Sequence, residues 1–192
     1  MTYIIPTEEI ALSEQSRLRA AAVAAGRLRA ADLWKLSDNQ LDDREANYVN
    51  DFIAPMAPAL IAGLAGWLTQ PFLAAGTQYS VFATNTGVAV APICPTNQIW
   101  VFYKAAVLTV SGPDPAGTLQ FRKGIAANLI CQVELESLYG KDVQDGYFSN
   151  PVTYQNPDQA TVLVTCRAAL GAVGCRVKLG CIVIENRQNT TI

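Results

Sequence analysis

Leu129-Ile130-Cys131-Gln132-Val133-Glu134-Leu135-Glu136 is the stretch on which the reading of this chain turns. Apolar Leu129, Cys131, Val133 and Leu135 alternate with Ile130, Gln132, Glu134 and Glu136, and a period of two puts the first set on one face of a strand. One face is core and the other mostly polar. Working outward, Leu119 and Phe121 alternate with Gln120 and Arg122 in the same manner. Residues 161–170 and 175–185 flank Gly171-Ala172-Val173-Gly174 and read as a hairpin. The apolar run over residues 98–110 has room for one buried strand or two. With residues 78–84 and 87–91 the total reaches about seven or eight strands, the number of a jelly roll. Residues 113–117 and 150–158, rich in Pro, Asp, Asn and Gly, read as loops.

Composition changes near Gly76, and before it the chain reads helical. EQSRLRAAAVAAGRLRAADLWKL, residues 14–36, is built of strong helix formers, with Ser13 as a candidate N-cap. Leu18, Ala21, Ala25 and Leu28 form a short seam that ends at Asp32 and Lys35, too short for a coiled coil. Packing against another element through small alanines is the expected use. Arg17, Arg19, Arg27 and Arg29 point in four directions, so they make no basic face. Ser37-Asp38-Asn39-Gln40 has capping-box form, and Leu41, Tyr48, Val49 and Phe52 follow at helical spacing, which predicts a second, acidic helix over residues 37–52. FIAPMAPALIAGLAGWLTQPFLAAG, residues 52–76, is uncharged and long enough to cross a bilayer. Pro55, Pro58 and Pro71 break it and no basic cluster flanks it, which argues against a membrane span. The expected organisation is therefore a helical N-terminal arm or clamp over residues 1–76 and a jelly-roll-like antiparallel β-sandwich over residues 77–192.

Of the 192 residues 51% are hydrophobic and 16% charged, with a net charge of −2. So few charges imply that much of the surface meets something other than water. The balance of 14 basic against 16 acidic residues lacks the excess needed to bind nucleic acid. The chain has no histidine, which removes Ser-His-Asp and Cys-His triads and histidine metal sites. Met1 to Glu9 lacks a basic n-region, so export through a signal peptide is not expected. There is no phosphate loop of the G-x-x-x-x-G-K kind and no dinucleotide fingerprint. The expectation is a protein without catalytic residues or cofactor.

Candidate chemical groups each have a plainer reading. Cys131, Cys166, Cys175 and Cys181 fall on the inward phase of their strands and read as small buried hydrophobes before metal ligands. Cys94, between Ile93 and Pro95, reads as loop. Glu134 and Glu136 stand at the spacing of a glycosidase carboxyl pair, although any solvated strand face shows it. Asp142 and Asp145 invite a calcium reading but lack the dense D-x-D-x-D-G spacing. Asn189-Thr190-Thr191 matches the glycosylation sequon, which carries little meaning for a chain not exported.

The block Leu135-Glu136-Ser137-Leu138-Tyr139-Gly140-Lys141-Asp142-Val143-Gln144-Asp145-Gly146-Tyr147-Phe148-Ser149-Asn150-Pro151-Val152-Thr153-Tyr154, with Leu179 to Glu185 and Thr118 to Gly124, resembles C-terminal β-domains of tailed-bacteriophage virion proteins. The resemblance covers roughly the last 75 residues and rests on patterns such as G-Y-F-x-x-P-V-x-Y. It implies a head-decoration or cement protein, made in the host cytoplasm and carried on the capsid of the virion. Such a protein partners with the major capsid protein and with itself, often as a homotrimer, and needs no active site. Trp34, Phe52, Met56, Trp67 and Phe72 are the aromatic and flexible anchors expected at inter-subunit contacts. An alternative is a carbohydrate-binding sandwich of a tail or host-recognition apparatus, with Tyr147, Phe148 and Tyr154 as exposed loop aromatics.

Overall fold

The computed structural model describes residues 2–52, 78–80, 93–111, 116–124, 128–166 and 174–187. The elements are β1 (Ile4–Pro6), α1 (Leu12–Trp34), β2 (Leu41–Phe52), β3 (Gln78–Ser80), β4 (Gln98–Ser111), β5 (Ala116–Lys123), β6 (Leu129–Glu134), β7 (Asp145–Gln155), β8 (Ala160–Cys166) and β9 (Gly174–Asn186). Two sheets form, ordered β1-β7-β4-β9-β2 and β3-β8-β5-β6, with every pairing antiparallel. Set aside β1, and the orders β2-β9-β4-β7 and β3-β8-β5-β6 are those of a jelly roll. The protein is thus mainly β, a two-sheet sandwich with one N-terminal helix.

The larger sheet is buried on both faces at its centre, and the sequence of its central strands follows from that. In β9, Val177, Leu179, Cys181 and Val183 enter the core between the sheets, while Ile182 and Ile184 lie on the outer face under α1. Trp100 and Phe102 of β4 point inward, Ile99, Val101 and Tyr103 outward. A strand covered on both sides reads as an unbroken apolar run. Residues 98–111 are therefore one strand, with a register shift between Phe102 and Lys104. Tyr154, Phe102, Phe121 and Phe148 make a chain of ring contacts at 5.4–5.8 Å across the core, with edge-on and tilted geometry.

α1 starts after Ala11, without a side-chain cap from Ser13, and closes at Lys35 in the left-handed conformation. It packs on the outer face of the larger sheet through Ala22, Gly26 and Ala30, each one turn apart. Small residues do mediate the packing, but the seam is not Leu18-Ala21-Ala25-Leu28, since Leu28 is 75% exposed. The branched side chains of Ile99, Val101, Ile182 and Ile184 already fill the sheet surface, so the helix meets them with its smallest residues. A Cβ on Gly26 would sit 2.7 Å from Ile184 Cγ1 and 2.8 Å from Val101 Cγ2.

Three expectations need correction. Residues 41–52 are the edge strand β2, paired with β9 from Leu41 opposite Asn186 to Phe52 opposite Cys175, and no second helix forms. The capping-box bond does form, Ser37 N–H to Gln40 Oε1 at 3.0 Å, but it closes a 3-10 turn that leads into the strand. Tertiary pairing overrides the local pattern, and the charges that looked like a helix face suit an exposed sheet edge. Residues 4–52 thereby supply two strands and a covering helix to the sandwich. Next, β8 and β9 are not a hairpin: β8 pairs with β5 and β3, β9 with β4 and β2, in opposite sheets. Finally, residues 150–155 are strand, part of β7, whose pairing with β4 jumps from Val152 to Tyr147. Pro151 sits in that irregularity beyond the reach of β1, which pairs only Gly146 to Phe148, so its missing N–H costs no ladder bond.

Candidate functional site

A groove of about 630 Å³ runs between α1 and the rim of the sandwich, lined by Leu28, Arg29 and Asp32 of α1, Lys123 of β5, and Thr153 and Gln155 of β7. Its charges are engaged. Arg29 Nε donates to Gln155 Oε1 at 2.5 Å and stands 3.7 Å from Asp32, while Lys123 Nζ is 2.7 Å from Asp158. Asp32, 3.2 Å from Lys35 as well, is the single carboxylate of the lining among the described residues. A lone ion-paired carboxylate can bind a donor, but general acid–base chemistry calls for a second titrating partner.

A second hollow, of about 440 Å³, holds Asp142 and Asp145 together with Lys141 and Gln144. Asp145 Oδ1 is buried there without a hydrogen-bond partner. Lys141 is held by Glu9 at 2.7 Å, and the Val143 N–H by Glu8. Among the described residues no three His, Cys, Asp or Glu side chains gather to hold a metal ion. Among the described residues the hollow thus brings together the two carboxylates of the calcium reading, Asp142 and Asp145, with Lys141 and Gln144.

The remaining candidates separate in space. Glu134 ends the edge strand β6 and accepts from Gln132 Nε2 at 2.8 Å, while Glu136 opens a 3-10 turn, and both are exposed. Cys181 is buried in the core between the sheets and Cys131 half-buried beside it. Cys94 lies in the loop before β4, as read, and is fully buried there, its thiol donating to the carbonyls of Gln98 at 3.3 Å and Tyr154 at 3.7 Å. Burial pushes that thiol up to about 12 and raises Cys131 and Cys181 as well, which leaves the buried Cys94 and Cys181 protonated and inert. The backbone of Cys166 and Cys175 lies in β8 and β9.

The aromatic platform of the carbohydrate alternative does not exist as such. Phe148 and Tyr154 are core residues of β7, the Tyr154 hydroxyl donating to Arg122 O at 3.1 Å, and Tyr147 packs on the Tyr103 ring at 5.9 Å. None of the three stands on an exposed loop. Among the five expected inter-subunit anchors, Trp34 is half-buried between α1 and its sheet, inside one chain. Phe52 closes β2, while Met56, Trp67 and Phe72 lie outside the described residues.

A polar seam between α1 and β2 was not foreseen. Arg19 Nε meets Glu45 at 2.6 Å, and Arg27 bridges Asp38 at 2.9 Å and Asp43 at 2.5 Å. Tyr103 adds a hydroxyl bond to Glu45 at 3.0 Å. Arg19 holds the Glu45 carboxyl below its ordinary range, and burial raises the Tyr103 phenol. Arg19 and Arg27, which point in different directions around the helix, are thus absorbed by β2 and the turn before it, while Arg17 pairs with Glu14 of its own helix at 2.5 Å. Only the pairing of β2 with β9, a contact across more than a hundred residues, brings Asp43 and Glu45 into reach.

The fold and its surfaces define a jelly-roll sandwich whose helix is keyed into one sheet. The chain matches no protein-family model, and no curated protein matches it.

Proposed function

We propose that this protein is a non-enzymatic structural component of a tailed-phage virion, a cement or decoration protein that bridges shell subunits of the head. The observation that carries this reading is the jelly roll with α1 locked on its outer face, a fold whose users include viral capsid and lectin domains. That link is fold-level analogy, and the surface gives it substance. Leu12, Leu28 and Leu33 project from α1 into solvent, apolar side chains on an element fixed to the sheet beneath it. Rigid elements with outward apolar groups suit a protein that rivets neighbours together.

The partners on this reading are the major capsid protein and other copies of the chain, as the trimer implied by the resemblance or another closed ring. The virion is its site of action. Among the described residues no helix is long and apolar enough to cross a membrane. The deciding experiment is quantitative mass spectrometry of purified particles carrying the chain. Copy numbers comparable to the shell protein support a lattice component. A handful per particle points to a tail or vertex, and absence from particles refutes the virion assignment.

A further inference from the structure

We propose that the groove between α1 and the rim of the sandwich binds a small amphipathic carboxylate, its apolar chain along Ala25 and Leu28 and its head group between Arg29 and Lys123. Ala25, Leu28, Arg29 and Asp32 follow one another at i, i+3, i+4 and i+7 and so form one stripe of the helix. Over its length of about 10 Å the stripe changes character, apolar at Ala25 and Leu28 and charged at Arg29 and Asp32. A ligand laid along it needs one apolar end and one polar end. The space of about 630 Å³ is that of a small-molecule site.

Two cations converge on the polar end through Gln155. Its Oε1 accepts from Arg29 Nε at 2.5 Å, and its backbone N–H donates at 3.1 Å to Asp158 Oδ2, the same oxygen that holds Lys123 Nζ at 2.7 Å. Arg29 is thereby oriented by a neutral group. The carboxylate beside it, Asp32, stands 3.7 Å from Nη1 and is shared with Lys35 at 3.2 Å. Among the described residues Arg29 Nη2 has no partner, and Lys123 uses one of its three donor hydrogens on Asp158. Counting Lys35 and Asp158 beside the lining, three cations (Arg29, Lys35, Lys123) stand against two carboxylates (Asp32, Asp158). A carboxylate brought between Nη2 and Nζ gains charge-assisted hydrogen bonds from both, which a neutral alcohol head does not.

The test is an amide chemical-shift titration of the isotope-labelled full chain with octanoate, with 1-octanol as the neutral control. It needs no capsid, so its outcome stands apart from the virion assignment. Octanoate is expected to bind saturably, shifting residues of α1 and β7 around the groove, and about tenfold more tightly than octanol. Arg29→Gln is expected to weaken octanoate about tenfold and leave octanol unchanged. Asp32→Asn removes the competing carboxylate and is expected to tighten octanoate about two- to fivefold, a gain that a merely supporting role of Asp32 would not produce. The Arg29 and Asp32 side chains are 49% and 67% exposed, and circular dichroism verifies folding of each variant. No saturable shift up to the solubility of octanoate, shifts confined to residues away from the groove, equal affinity for octanol, or affinity indifferent to Arg29→Gln would each overturn the proposal.

Discussion

Replacing Gly26 by alanine tests how the helix is seated. In a solvent-facing helix position this change stabilises by about 1 kcal/mol, because alanine is the better helix former. At Gly26 the new methyl would lie 2.7 Å from Ile184 Cγ1 and 2.8 Å from Val101 Cγ2. Both neighbours are β-branched, stiff at χ1, and mounted on β9 and β4, the central strands of the larger sheet. Neither can swing away cheaply, so α1 must lift. Overpacking of this kind costs about 1–3 kcal/mol and outweighs the propensity gain. The expected net result for Gly26→Ala is destabilisation by about 1 kcal/mol, a fall in Tm of about 2–4 °C at this chain length. Urea unfolding followed by circular dichroism reads it as a lower midpoint at unchanged slope. Val101→Ala should be less harmful in the Gly26→Ala background than alone, since it vacates the space the methyl needs, and a double-mutant cycle measures that coupling. A Gly26→Ala variant more stable than wild type, with no coupling to residue 101, would refute the close seating of α1.

Glu45→Gln should flatten the acid limb of the stability curve. Arg19 depresses the folded-state carboxyl, so its contribution is present above the ordinary glutamate range and lost as pH falls through the folded value. The pair is partly exposed, so the loss near neutrality should be only about 0.5 kcal/mol, read from urea midpoints between pH 7 and about pH 3. Cys94 and Cys181 should resist a thiol reagent at about pH 8 in the native protein and react on unfolding, because burial keeps both protonated. Tyr154→Phe removes the bond to Arg122 O while keeping the ring contacts, and should cost about 1 kcal/mol, against about 3–5 for Tyr154→Ala in thermal unfolding.

The sandwich was legible wherever a strand buries one face and wets the other. Val133 and Leu135 lie inward and Gln132 and Glu134 outward, as the alternation requires. Leu129 departs from it because a bulge adds one residue and shifts the phase, which a period of two does not reveal. β2 was illegible for a different reason. Its apolar spacing fits a helix as well as a strand, and what settles the matter is hydrogen bonding to β9, far along the chain. The same holds for the carboxylates of β2, which look like solvated surface until Arg19 and Arg27 arrive over them. The loop at Cys94 was legible from Ile93 and Pro95, but its burial was not, since that is set by Gln98 and Tyr154 from neighbouring strands.

The hairpin error at the C-terminus shows why a jelly roll hides from local reading. Two strands in succession with a four-residue Gly-bounded connection satisfy every local rule for a hairpin. In this fold the same connection carries the chain from the smaller sheet to the larger, and β9 takes its place between β4 and β2. The discriminating signal lies in the composition of the strands themselves. Residues 181–184, Cys-Ile-Val-Ile, are apolar on both faces, whereas β8 keeps Thr161, Leu163 and Thr165 on one face and Val162 and Val164 on the other. A strand apolar on both faces needs a cover on each side, and in this chain one cover is the smaller sheet and the other is α1. The alanine-rich helix and the twofold apolar strand are therefore two halves of a single requirement, and each predicts the other. By the same logic the outer face of the smaller sheet, where Gln120, Arg122, Gln132 and Glu134 bond to one another, is polar and needs no such cover.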